Sequence, residues 1–509
     1  MTRAELRAPD VVVVGAGASG CVLASRLIQS GARVELIESG IDPGPASALP
    51  QVLRDADAPV LTGQYDWGFR NALAKGRRSP LLPRGRVLGG SSATNSCVAL
   101  RPEPTDFDAW ALVADSSWSW DSVAPYFTRI ESDIDFPTAP YHGSAGPVPV
   151  VRWRREELEA PSRAFLDSAL AAGYPWCEDL NAPGATGVGL VPMNRRARVR
   201  VSAASAYLDP VRNHPNLRVR TSSTVTEVCI RRGRSRGLVI DGPQGRERIA
   251  AGQVVLCAGA YGTPWILLRS GVGPPGELRR AGIEVQVDLP GVGQELTDHS
   301  HVHLAGSWPG SDARRACVQT LGRLTSEDSD VRGDMQLWLL NYVEIASYAP
   351  GTVSAGWPVM LCASLQHAES RGSVCLSANG ELRVAIDHLA DRADTARYRA
   401  GVRSLWRIAG GMNDLSGLDI DQATIANDAL LDHFISDRVQ TSHHPMGTAR
   451  MGASADPDSV VGADLAVHGV AGLHVADASI IPVCVRANIH LTCLVIGEIA
   501  GERLCHEVS

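Results

Sequence analysis

Val11-Val12-Val13-Val14-Gly15-Ala16-Gly17-Ala18-Ser19-Gly20 decides how this chain is read. A run of four apolar residues is what a strand buried on both faces of a parallel sheet requires. Glycines follow at once in the spacing GxGxxG. Cys21 to Gln29 then reads as a helix that stops before Gly31, and Arg33 to Ile37 as a second apolar strand ending in Glu38. Glycines at such a turn let the chain reverse tightly and let a pyrophosphate approach the helix N-terminus. Glu38 lies 38 − 20 = 18 residues beyond Gly20, where a carboxylate accepts hydrogen bonds from a ribose. The hexapeptide alone is a weak signal. Strand, helix and acid in register make it a strong one, and they predict a Rossmann-like α/β domain.

Outward from this unit, size and composition set limits. At 509 residues the chain exceeds one ordinary domain, which predicts two cores. A net charge of −7 gives nucleic acid no electrostatic footprint. Eleven cysteines, an odd number without a CxxC pair, form neither a disulfide framework nor a zinc signature, so they read as reduced, buried side chains of a cytoplasmic protein. Val11 to Val14 is already a strand with only ten residues before it, so no secretory segment fits. The apolar run Gln253 to Leu268 is broken by Gly259, Gly262 and Pro264, and no transmembrane segment is expected. Peripheral attachment to a membrane stays open.

Further along, Arg84-Gly85-Arg86-Val87-Leu88-Gly89-Gly90-Ser91-Ser92 pairs glycines with hydroxyl residues. It suits either a phosphate-binding loop or a serine-capped helix start. Leu217 to Arg232 alternates as strands do, and Gln253 to Gly259 is another buried strand running into a glycine turn. Asp298-His299-Ser300-His301-Val302-His303 alternates three imidazoles, but no cysteine or carboxylate cluster completes a site, so no metal is expected there. Asp334 to Leu340, Val359 to Gln366, Arg371 to Ser377 and Leu382 to His388 are short β-rich runs consistent with one antiparallel sheet, followed by a helix from Asp394 to Asn413. Near the end, Thr441-Ser442-His443-His444-Pro445-Met446-Gly447 places a histidine before proline and glycine, a loop able to aim an imidazole into a cleft.

The GxGxxG turn with Glu38, the Arg86 to Ser92 segment, Gly259-Ala260-Tyr261-Gly262-Thr263-Pro264, Pro290-Gly291-Val292-Gly293 through Asp298-His299, and His444-Pro445-Met446-Gly447-Thr448 together resemble the glucose-methanol-choline oxidoreductase family. The motifs stand in the family's order and cover nearly the whole chain. The resemblance implies an FAD-dependent enzyme that oxidises an alcohol. The FAD-binding part would comprise residues 1–150, 193–299 and 444–509, and the substrate part, built on an antiparallel sheet, residues 151–192 and 300–443.

The resemblance also assigns residues. Gly15, Gly17, Ala18, Ser19, Gly20 and Glu38 fall in the adenosine and pyrophosphate site, and Arg86, Gly89, Gly90 and Ser91 in the loop beside the pyrophosphate and ribityl chain. Asn95, Ser96, Cys97 and Val98 would pass beside the flavin ring, and Val225 would meet the adenine. Asp477 and Ala478 would approach the pyrophosphate, and the stretch from Asn488 through His490, Leu491 and Thr492 would face the flavin pyrimidine. Thr94 occupies the place at which some relatives link FAD through a histidine, which implies non-covalent FAD.

Hydride leaves a carbinol carbon readily only as its hydroxyl proton is taken, a task suited to a neutral imidazole. By family position His444 is the base. Counting back from Ile496-Gly497-Glu498 makes His490 its hydrogen-bonding partner, with His443 structural. Trp338, Leu340, Trp357 and Met360 are candidates to line the substrate site, though each could equally fill the core of the sheet. A redox-silent lyase of the hydroxynitrile type, which keeps the base, is the alternative reading, as is a dehydrogenase of a peptide redox carrier such as mycofactocin. The final electron acceptor, oxygen or another, the particular alcohol and the oligomeric state are left open.

Overall fold

The computed structural model describes residues 8–57, 59–73, 80–310, 316–327, 329–341 and 356–508. Two sheets organise them. The first is parallel and five-stranded, in the order Leu473–Val475, Val254–Leu256, Val11–Val14, Val34–Ile37, Leu217–Arg220. The valine run lies near its centre and is buried along its whole length, which is why four consecutive residues can all be apolar. Helix Ala18–Gln29 follows it and packs against the C-terminal helix His490–Val508. Arg26 of the first helix and Glu498 of the second clasp each other at 2.7 Å, and the Tyr207 hydroxyl donates to the same carboxylate. Residues separated by most of the chain therefore close one domain.

The second sheet has six strands in the order Gln440–Thr441, Ser300–Trp308, Trp357–Leu365, Met335–Leu340, Val318–Leu324, Gly187–Leu190, and every described pairing in it is antiparallel. Helix Arg392–Ala409 covers one face, where Val302, Leu304, Leu337, Leu339, Leu361 and Ala363 are fully buried with Val402 and Leu405. The opposite face carries the residues of the other parity, as alternation along a strand demands. Trp357 has the core parity: it pairs with Trp308 and packs among the residues beneath the helix. The Arg371–Ser377 and Leu382–His388 runs do not join this sheet. They pair with each other as a two-stranded ribbon, Gly372–Leu376 with Leu382–Ile386, set against helix Gly259–Arg269 and sharing a small core with Leu82 and Tyr261. No described helix is long and apolar enough to cross a membrane.

Candidate active site

A cavity of about 580 Å³ runs between the two sheets, from the glycine turn at Gly15 to the histidine loop at His444. At its first end the helix beginning at Ala18 has no side-chain cap and no acidic residue in its first turn, so its free N–H groups and positive dipole end face the cavity. A Cβ on Gly20 would stand 1.9 Å from the Gly15 carbonyl oxygen, and one on Gly90 2.7 Å from Gly17 Cα. The two loops therefore stay close-packed only while both positions are glycine. Glu38 accepts from Ala16 N–H at 2.9 Å and Gly40 N–H at 2.7 Å. Burial raises its carboxyl to about 6 against those bonds. Asp477 accepts from Gly259 N–H and the Thr263 hydroxyl.

These groups fit FAD. Bare helix N–H groups and glycine hydrogens suit a pyrophosphate, and the remaining lone pairs of Glu38 suit a ribose. Gly15, Gly17, Ala18, Ser19, Glu38, Gly90, Ser91, Asn95, Ser96, Val98, Val225, Asp477, Ala478 and His490 all line the cavity, as does Thr94. Other expected contacts lie outside its lining. The Arg86 guanidinium is exposed over the Trp67 ring, 5.0 Å from its centroid. Gly89 bonds Ala16 O from behind the loop. Gly20, Cys97, Leu491 and Thr492 are buried around the cavity as packing.

At the other end His444 is held from three sides. Asp298, buried beneath the loop, accepts from His444 N–H at 2.8 Å and from the Thr441 hydroxyl at 2.5 Å. Burial pushes the Asp298 carboxyl up to about 7. His443 adopts φ +68°, and Gly447 φ +89°, where a Cβ would meet the Glu295 carbonyl at 2.8 Å. Pro445 continues the turn and the imidazole lines the cavity.

The ring's proton placement follows from its neighbours. His299 Nε2 is 2.7 Å from the Val485 carbonyl, which can only accept, so that nitrogen carries the hydrogen. Burial lowers His299 to about 4, so its Nδ1 is bare and accepts from His444 Nδ1, 3.0 Å away. The hydrogen on His444 Nδ1 leaves Nε2 as a lone pair facing Asn488 Nδ2 at 3.2 Å. Removal from bulk water, reinforced by His299 and Arg84, drives His444 well below its ordinary value and keeps it neutral. The site thus presents a base whose free nitrogen is fixed by a chain reaching back to a backbone carbonyl.

The polar group within hydrogen-bond distance of His444 Nε2 is Asn488, rather than His490. Asn488 sits in the loop just before the helix that starts at His490, and a two-residue offset in counting from that helix separates the two. His490 lines the same cavity with its Nε2 buried and unpartnered, lowered to about 4 by burial. Of the substrate candidates, Trp338 and Leu340 line the cavity. Met360 shares their sheet face but packs with Ala305 and Cys362, and Trp357 faces the core. His299, outside the expected site residues, lies within hydrogen-bond distance of His444. Gln336 and Gln366, which sequence reasoning passed over, line the cavity too. Their signal was parity, since Gln336 interrupts an otherwise apolar strand two residues before Trp338.

His301 and His303 do not converge on an ion site. They share Gln440, and His301 also meets the Ser442 hydroxyl at 3.1 Å. Among the described residues the group with metal-compatible spacing is Glu131, Asp133 and His142. Arg101 and Arg152 already pair with its carboxylates, and His142 spans Glu131 and Asp179. That cluster reads as a neutralised structural network.

Comparison with known proteins places this architecture. The chain belongs to the GMC oxidoreductase family, whose N-terminal and C-terminal domain models match residues 9–301 and 368–497. Members of that family are FAD-dependent alcohol oxidases and dehydrogenases, and this chain is an oxidoreductase of that kind. An uncharacterised GMC-type oxidoreductase of Rhodococcus erythropolis is 35% identical, covering 98% of this chain and 99% of its own. An oxygen-dependent choline dehydrogenase of Brucella anthropi is 30% identical, covering 97% and 95%. Among solved structures, pyridoxine 4-oxidase from Mesorbium loti superposes with a TM-score of 0.89 at 31% identity, covering 98% and 99%.

Proposed function

We propose that this chain oxidises an uncharged alcohol to an aldehyde or ketone with non-covalently held FAD, His444 taking the hydroxyl proton. When bound, FAD supplies the hydride acceptor. Gly15 through Ser19 and Glu38 would hold its adenosine pyrophosphate, and Asn95, Ser96 and Val98 would border its ring.

The observation that carries this reading is the fixed tautomer of His444. A substrate hydroxyl reaching its bare Nε2 donates a proton to it, while Asn488 Nδ2 donates to the same hydroxyl oxygen and orients it. The imidazolium so formed keeps its Nδ1–H bond to His299. His490, two residues on, contributes a further polar edge to the cavity. Non-covalent attachment is supported by Thr94, which lines the cavity and offers no nucleophilic nitrogen.

The neutrality of the substrate is supported by the six-stranded sheet, whose described residues bring no carboxylate to the cavity lining. The test is anaerobic stopped-flow reduction across an alcohol panel: His444→Ala keeps yellow flavin but loses about 10²- to 10⁴-fold in reduction rate. Acid precipitation of the same preparation releases the flavin. Near wild-type reduction by the variant would remove His444 as the base, and flavin that stays with the pellet would show a covalent link.

A further inference from the structure

One wall of the cavity holds polar groups that proton transfer leaves unused. Gln336, Trp338 and Leu340 alternate on the cavity face of their strand, and Ser364 lies directly across from Gln336. Gln366, two residues past Ser364, lines the same cavity. Both glutamines are almost fully buried, at 3% and 1% exposure. The amide nitrogen of Gln366 donates to Ser364 Oγ at 2.9 Å, which turns its Oε1 away, and among the described residues that Oε1 has no hydrogen-bond partner. Among the described residues Gln336 Nε2 is likewise buried and unpartnered. Buried donors and acceptors are almost always satisfied, so an orphaned donor and an orphaned acceptor on one wall call for a ligand that meets both.

Diagonal neighbours on paired antiparallel strands stand about 7–8 Å apart, near enough for two glutamine side chains to converge on a single oxygen. A hydroxyl is the smallest group that serves both, accepting from Gln336 Nε2–H and donating to Gln366 Oε1. Beside them the Trp338 ring and Leu340 offer flat apolar surface. Among the described residues the six-stranded sheet contributes neither acid, lysine nor arginine to the cavity lining. Its imidazole there, His301, is occupied by Ser442 and Gln440. Glu38 and Asp477 are committed to main-chain N–H groups at the cofactor end, Glu381 is an exposed residue of the turn joining the two-stranded ribbon, Arg269 pairs with Glu227, and Arg84 stands at the histidine loop, donating to His443 O.

The geometry points to a substrate that is a neutral ring-bearing alcohol with a second hydroxyl, that hydroxyl bound by Gln336 and Gln366 and the ring lying on Trp338. This assignment rests on the reading of the cavity as an alcohol-oxidising site, and the experiment separates the two. Cresols lack a carbinol, so calorimetry of the FAD-loaded protein with the cresols and the matching methylanisoles reads hydroxyl binding without oxidation, and the Gln366 variant assigns it to this site. At least one cresol binds about 10-fold tighter than its methylanisole, the equivalent of about 1.4 kcal/mol, and Gln366→Leu abolishes the difference. Gln366→Met, closer in length, replaces the leucine variant if that one fails to hold FAD. In anaerobic stopped flow the corresponding hydroxybenzyl alcohol reduces the flavin at least about 10-fold more efficiently than benzyl alcohol, and choline is the poorest reductant. Equal binding of every cresol and methylanisole, or choline as the best reductant, overturns the proposal. Cresol discrimination without reduction by any alcohol leaves the hydroxyl site standing and sinks the oxidation reading. Reduction without discrimination does the reverse.

Discussion

The wall of the cavity built on the parallel sheet offers a ligand chiefly main chain. Uncapped N–H groups at Ala18, glycines too crowded for a Cβ, and a glutamate pinned by two backbone donors leave little to side-chain choice. The wall built on the antiparallel sheet, with the histidine loop beside it, works through side chains whose proton positions and amide ends decide what they recognise. Main-chain recognition is indifferent to the identity of most residues and unforgiving of volume. Side-chain recognition is the opposite, so perturbing the two walls gives different signatures.

The largest effect is expected on the first wall. Gly20→Val forces a branched side chain against the Gly15 carbonyl, which a Cβ alone would approach to 1.9 Å. Overpacking of this kind costs about 1–3 kcal/mol, and here it displaces the loop proposed to receive the pyrophosphate. The purified variant should carry almost no flavin while its far-UV circular dichroism stays close to wild type. Full flavin content would mean that the glycine turn is not what holds the cofactor.

On the second wall FAD stays and the rate falls. Asn488→Ala removes the donor beside His444 Nε2, and loss of one preorganised donor lowers the rate of flavin reduction by about 10²-fold. His490→Ala is expected to cost less than about 10-fold, since the loss is a group that does not reach His444. Equal losses in the two variants, measured by single-turnover reduction, would return His490 to the partner role.

A smaller change tests the proton chain. His299→Ala leaves the Nδ1–H of His444 without its acceptor and frees the ring to carry its hydrogen on Nε2 instead, costing about 10-fold in reduction rate. His299→Gln retains one acceptor and one donor in a neutral side chain, so it recovers most of that loss. If both variants are equally slow, His299 acts through packing and not through the tautomer.

The two walls also differ in how far sequence discloses them. Gly15 to Gly20, Glu38 and the Gly89-Gly90 pair are legible because a strand, a turn and a helix adjacent in the chain make the contact. The antiparallel wall is assembled from strands up to 250 residues apart, counting from Leu190 to Gln440, and each side chain's destination depends on parity. Trp357 was a plausible lining residue by type and lies on the core face by register. Gln336 and Gln366 are of a residue type that advertises no chemistry until burial leaves one amide atom of each, Gln336 Nε2 and Gln366 Oε1, without a partner among the described residues. Asn488 was hidden by the start of the last helix, where no acidic residue in the first turn marks which of two polar positions faces inward.

The smallest expected effect concerns Asp298, the strut under the histidine loop, and it appears in stability against pH. Burial raises its carboxyl to about 7, well above its value in an unfolded chain of about 3.9. Between those values the folded state therefore holds more protons than the unfolded one, and stability falls as pH rises through that window. Asp298→Asn removes the titration while keeping an oxygen for His444 N–H. Its melting temperature relative to wild type should accordingly rise between about pH 4.5 and about pH 7.5, by at least about 1 °C. Differential scanning fluorimetry of the FAD-loaded proteins at the two values decides it. A difference that stays constant, or moves the other way, would mean that Asp298 is ionised throughout and that its bonds to Thr441 and His444 outweigh the cost of burying its charge.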